Sequence, residues 1–144
     1  MKTKLLLAAS TLAMLTQVAH ARTEVVTYPL QPVLQAQQFA PGVALYFGDQ
    51  PHPAVVSSLG EVTKSSHPPR KTATEVEICN ATLADALRQL ANVAHDRGAN
   101  AVINIKTWFH STVSTDASNY TCGVSGVSAA LRVSGELVTV ESTK

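Results

Sequence analysis

Two cysteines, Cys79 and Cys122, bracket the stretch that most limits how this chain can fold. Between them lies the strongest helical pattern in the sequence. Leu83, Ala86, Leu87, Leu90, Val93 and Ala94 recur with a helical period. Thr82 followed by Asp85 resembles a capping box, although Glu or Gln is the usual third residue, and Asn80 is a competing N-cap. Gly98 stands where a left-handed C-terminal cap is wanted, with Arg97 adding positive charge in the last turn. These signals predict a helix from Ala81 to Arg97. The run Arg97-Gly98-Ala99-Asn100-Ala101-Val102-Ile103 then switches from helix to strand.

The first 21 residues have the form of an export signal. Lys2 and Lys4 precede an apolar stretch from Leu5 to Val18, and Ala19-His20-Ala21 is a small-x-small cleavage site. The competing reading is a membrane anchor. The stretch is short for ~30 Å of hydrocarbon, and Ser10, Thr11, Thr16 and Gln17 dilute it. No cysteine sits near the cleavage site, which argues against a lipoprotein. A periplasmic chain cleaved after Ala21 is expected, with no later segment apolar enough to span a membrane.

Losing Lys2 and Lys4 leaves nine of the 11 Lys and Arg against 10 Asp and Glu, a net charge of −1 with His neutral. Such a chain has no basic excess to neutralise phosphates, so nucleic acid is not an expected partner. The remaining length suits one core. With aromatic residues at 5%, that core must be mainly aliphatic. Two cysteines in an exported chain usually pair, and only one connectivity exists. A Cys79–Cys122 bond would close a loop of about 44 residues, worth ~4 kcal/mol at most in the chain-entropy account. A reactive thiol pair or metal ligands are the alternatives; the absence of Cys-x-x-Cys spacing disfavours both.

The rest of the chain divides into residues 22–41, a loosely structured arm, and a single domain over 42–144. The arm mixes prolines and glutamines and has a short strand or turn between Val25 and Leu34. Val43–Phe47 is a short strand bounded by Gly42 and Gly48, and Asp49–Pro53 is a turn. Val55–Thr63 is a second strand, with Gly60 marking a bulge. Lys64–Thr74, with Pro68 and Pro69, is a polar loop. Asn100–His110 reads as a strand with Ile103, Ile105, Thr107 and Phe109 on one face and Asn104, Lys106, Trp108 and His110 on the other. Tyr120–Val140 is the last strand region, bent near Gly123 and Gly126. The expected class is α+β: a two-layer sandwich of one helix on a mixed or antiparallel sheet of about four strands, with one disulfide.

Motifs for chemistry are sparse. No Gly-Lys pair exists to build a phosphate-binding loop, and no dinucleotide fingerprint occurs, so no cofactor is expected. Gly123-Val124-Ser125-Gly126 fails as a serine nucleophile elbow because residue 127 is valine. His52, His67, His95 and His110 lack paired metal-ligand spacing, and no metal site or catalytic residue is assigned. Trp108 and His110, on one strand face, form a weak candidate recognition surface that could equally pack beneath the arm. Asn80-Ala81-Thr82 and Asn119-Tyr120-Thr121 match the glycosylation pattern incidentally, since the leader reads as bacterial.

Glu77-Ile78-Cys79, the helix, Arg97 to Ile105, and Asn119-Tyr120-Thr121-Cys122-Gly123 together resemble a family of small exported bacterial proteins labelled "excinuclease ATPase subunit". The resemblance covers roughly residues 76–140. It rests on a cysteine before the helix, Gly-Ala-Asn-Ala-Val after it and Tyr-x-Cys near the last strand. The excision-repair ATPase activity in that label is not expected, because the chain has no phosphate-binding loop and carries an export signal. More distantly, Gly60-Glu61-Val62 and the helix-to-strand turn look like the YbjQ and RcsF group. That likeness implies an envelope setting or metal binding. The chain lacks the lipoprotein cysteine and second cysteine pair of RcsF, so an anchored sensor role is not carried over. The expectation is a non-enzymatic periplasmic domain that binds an envelope protein or itself, with envelope homeostasis as its setting; a metal-binding protein is the alternative.

Overall fold

The computed structural model describes residues 22–142, so the expected leader lies outside the described residues. Along the chain run β1 (Glu24–Pro29), α1 (Gln31–Ala36), β2 (Ala44–Phe47), β3 (Val55–Ser66) and α2 (Glu75–Asp96). They are followed by β4 (Ala101–Phe109), β5 (Thr112–Ser114), β6 (Asn119–Val124) and β7 (Ala129–Val140). The architecture is α+β: one main helix on a mixed sheet, with a disulfide between Cys79 and Cys122. The sheet has seven strands, a correction to the expected four or so.

The extra strands have identifiable causes. The region read as one strand from Tyr120 to Val140 is a hairpin. Ser125 Oγ accepts from the backbone N–H groups of Val127 and Ser128, both at 3.2 Å, and this hydroxyl-held turn separates β6 from β7. Residues 24–36, expected as part of a loose arm, form β1 and α1. Strand β1 pairs antiparallel with β6, placing Val26 opposite Cys122 and Tyr28 opposite Tyr120. Short β5 folds back on β4 after a left-handed turn at His110.

Helix α2 starts six residues before the expected Ala81. Thr74 is the true N-cap: its side chain accepts from Glu77 N at 3.3 Å, and Glu77 Oε2 accepts from Thr74 N at 2.9 Å. That reciprocal pair is a full capping box. The expected cap residues lie inside the helix and have other partners. Thr82 Oγ1 donates back to Ile78 O at 2.6 Å, and Asn80 Oδ1 accepts from Tyr120 at 2.5 Å. Cys79 is therefore within the helix, not before it. The C-terminus stops as expected. Gly98 adopts φ +80°, Gly98 N donates to His95 O and Ala99 N donates to Ala94 O, a Schellman motif.

Helix α2 lays Leu83, Leu87, Leu90 and Ala94 against Val102, Ile105, Leu131, Val133 and Leu137. All are almost fully buried, and each large side chain contributes ~1.5–3 kcal/mol of burial. Strand β4 departs from simple alternation. Asn104 takes a left-handed φ of 53°, and the register with β7 shifts between Ile103 and Lys106. The bulge sends Val102 and Ile105 into the main core and Ile103 into a separate cluster with Ala101 and Val138. The expected common face of Ile103 and Ile105 is thus corrected. Strand β3 also shifts register between Ser58 and Glu61, around Gly60.

The first half of α2 is tied to the sheet three times. Cys79 bonds Cys122, Tyr120 Oη donates to Asn80, and Tyr28 Oη donates to Glu75 Oε1 at 2.7 Å. Among the described residues no helix is long and apolar enough to cross a membrane.

Candidate functional site

Strand β7 is the organising strand, and its partner changes create a cleft. One edge pairs with β3 from Leu131 to Val140. Its other edge pairs with β6 at Ala129 and Ala130, then with β4 from Arg132 to Val138. At this handover β4 and β6 diverge, though the backbone N–H of Thr121 still reaches Thr107 Oγ1 at 3.0 Å. A cleft of about 500 Å³ opens there, lined by Trp108, Phe109, His110, Gly123, Arg132 and His67. Ser65, Ser66, Ser128 and Thr23 add hydroxyl groups, while Leu131 contributes buried apolar surface.

Register explains why these side chains meet. Arg132 is directly opposite Trp108 on β4 and directly opposite Ser65 on β3. The three lie in one row across the sheet, where opposed Cβ atoms are ~5 Å apart. Leu131 and Val133, on either side of Arg132, point into the core beneath α2. Arg132 therefore projects from the opposite face. His110 lies just beyond β4 with φ 51°, and its ring stacks on that of Phe109 at a centroid distance of 4.1 Å. His67 Nε2 shares a hydrogen bond of 3.1 Å with Ser128 Oγ.

The electrostatics of the cleft are one-sided. Among the described residues no Asp or Glu lines it, although the chain carries 10 acidic residues. The ion pairs among the described residues are Arg88–Asp85, His95–Asp96 and Lys106–Glu61, so Arg132 is in none of them. The guanidinium groups that donate to protein acceptors there belong to Arg70 and Arg88. Arg132 is thus an exposed, uncommitted cation beside an aromatic wall. A second hollow of about 200 Å³, lined by Arg22, Glu24, Arg70 and Glu75, mixes both signs of charge.

Trp108 and His110, the weak candidates for a recognition surface, both line the cleft. Trp108 is half-buried and His110 exposed, and Thr23 of the arm lines the same cleft. His67, in the segment read as a polar loop, also reaches the cleft. Arg132 carries no signal of its own in the sequence, because only the β4–β7 register puts it beside Trp108. His52 and His95 lie elsewhere, the first against Tyr46 and the second beside Asp96. Among the described residues, no three His, Cys, Asp or Glu side chains gather to hold a metal ion. The Ser128–His67 contact has the length of a nucleophile–base pair, but no described carboxylate lines the cleft to orient the imidazole.

Fold and site together describe a disulfide-stapled α+β domain with an aromatic cleft on its sheet that no described Asp or Glu lines. The chain matches no protein-family model, no curated protein and no solved structure.

Proposed function

We propose that this chain is an exported periplasmic domain, non-enzymatic, that binds its partner or ligand through the cleft at the β4–β7–β6 fork. The observation that carries this reading is Arg132, in no ion pair among the described residues, set beside Trp108, Phe109 and His110 in a cleft that no described Asp or Glu lines. Aromatic lining with a single charged group placed to fix orientation is the usual make-up of a small-ligand site. The disulfide, with both sulfurs in the core, fits an oxidising compartment. The export signal and the likeness to small exported bacterial proteins support the same setting.

Expression of the full chain with a C-terminal tag in a Gram-negative host tests the reading. The expected product is periplasmic, begins at Arg22 and resists thiol labelling until reduced. Native mass spectrometry should then find a bound molecule on the wild-type protein that is lost from Trp108→Ala. A cytoplasmic product with free thiols, or identical spectra for the two proteins, would sink the proposal.

Self-association is the other form this binding role takes. Its support is β3, whose residues 55–61 are all exposed and include Val55, Val56 and Leu59. Long apolar edge strands are ready templates for pairing. Light scattering at rising concentration should show dimers for wild type and monomers for Val56→Lys. The metal-binding alternative draws on His67 and His110 sharing the cleft. Calorimetry with zinc and copper ends it if no binding tighter than ~50 μM is seen.

A further inference from the structure

Resting on the reading of the cleft as the binding site, we infer that its ligand is a small aromatic monocarboxylate. The carboxylate sits on Arg132 and the ring lies against Trp108 and Phe109.

Charge selects the head group. Among the described residues Arg132 is the one permanently charged side chain lining the cleft. A guanidinium presents a planar fork that matches a carboxylate with two parallel hydrogen bonds. One fixed positive charge balances one carboxylate. A phosphate monoester carries about −1.5 to −2 at neutral pH, more than one fixed cation neutralises. The nearest on β4, Lys106, does not line the cleft and is already beside Glu61 at 3.9 Å.

Spacing selects the body. Trp108 and Arg132 are direct cross-strand neighbours, so the indole and the guanidinium spring from points ~5 Å apart. That suits a ligand whose charge is attached close to its ring. The stacked Phe109 and His110 rings supply a second aromatic surface. The hydroxyl of Ser65 stands near the head-group end, since Ser65 is the cross-strand neighbour of Arg132 on its other side. A cleft of about 500 Å³ lies within the range of small-ligand sites, ~300–1,000 Å³.

Trp108 is the only tryptophan, so its emission reports on the cleft directly. The oxidised mature protein is titrated with benzoate, benzamide, acetate and inorganic phosphate. Benzoate should give a saturable change with a midpoint of ~1 mM or below, an ordinary efficiency for so small a ligand. Benzamide keeps the ring without the charge, and acetate the charge without the ring. Each should bind at least roughly tenfold more weakly, as should phosphate. Arg132→Gln should erase the preference for benzoate over benzamide, and Arg132→Lys should restore part of it. Far-UV circular dichroism checks that both variants fold; the benzoate–benzamide comparison on the native protein decides the matter if either does not. Equal binding of benzoate and benzamide, tighter binding of phosphate, or an unchanged preference in Arg132→Gln overturns the inference while leaving the cleft as a binding site. No saturable response to any of the four probes overturns the inference; retention of a Trp108-dependent native ligand in mass spectrometry would then still uphold the cleft as a binding site.

Discussion

At Gly123 the Phe109 ring lies closer than a methyl group would tolerate: a Cβ added there would strike three ring carbons. Gly123→Ala must therefore displace Phe109, and with it the stacked His110 ring. A cost of ~1–3 kcal/mol is expected, the usual range for overpacking. It should appear as a lower urea midpoint, accompanied by a shift in Trp108 emission. Tyr120 is a different case. Burial, reinforced by neighbouring Tyr28, pushes its phenol well above the ordinary value of 10.0. Tyr28 is raised chiefly by its hydrogen bond to Glu75. Both phenols keep their protons in the fold after an unfolded chain has begun to lose them. The stability they lend is complete below pH 10.0 and falls as pH rises beyond it. Unfolding free energy measured against pH should decline from about pH 10, and Tyr120→Phe should decline less steeply. A flat profile through that range would contradict the assignment.

The elements show why some boundaries are readable and others are not. The C-terminus of α2 is legible because Gly98 and Arg97 act locally, on their own turn. The N-terminus is harder to place, although Thr74 and Glu77 form an orthodox capping box in sequence. The β-branched Val76 and Ile78 that follow are weak helix formers, and the more regular apolar repeat begins only at Leu83. Ile78 and Cys79 become helical because they are buried against the sheet. Thr74→Ala should cost ~1 kcal/mol, seen as a lower denaturant midpoint with an unchanged slope. Strand β1 is hidden for a related reason. Its Val26 and Tyr28 are only half-buried, and the strand exists through its ladder to β6. The Gly60 bulge is marked by its glycine, whereas Asn104, a residue that tolerates the left-handed region, is a weaker marker, and its bulge inverts the expected face of Ile103.

Across the whole molecule, the Cys79–Cys122 bond joins a helix in mid-sequence to a strand 43 residues later. Reduction, or replacement of both cysteines by alanine, should cost about 2–4 kcal/mol, read from urea unfolding of oxidised and reduced protein. The Tyr120–Asn80 and Tyr28–Glu75 links remain, so the reduced protein should keep its helical circular dichroism in the absence of denaturant. The α+β class, the main helix, the β2, β3 and β4 strands and the pairing of the two cysteines can all be read from sequence. Each follows from local periodicity, local caps or the count of two cysteines. The seven-stranded order, the β6–β7 hairpin and the cleft are decided only in three dimensions. Trp108 and His110 can be named as neighbours because they are two residues apart in sequence, although β4 ends at Phe109 and His110 follows in a left-handed turn. Arg132 and His67 join them through the register of β7 with β4 and β3, a long-range pairing that no local pattern in the chain specifies.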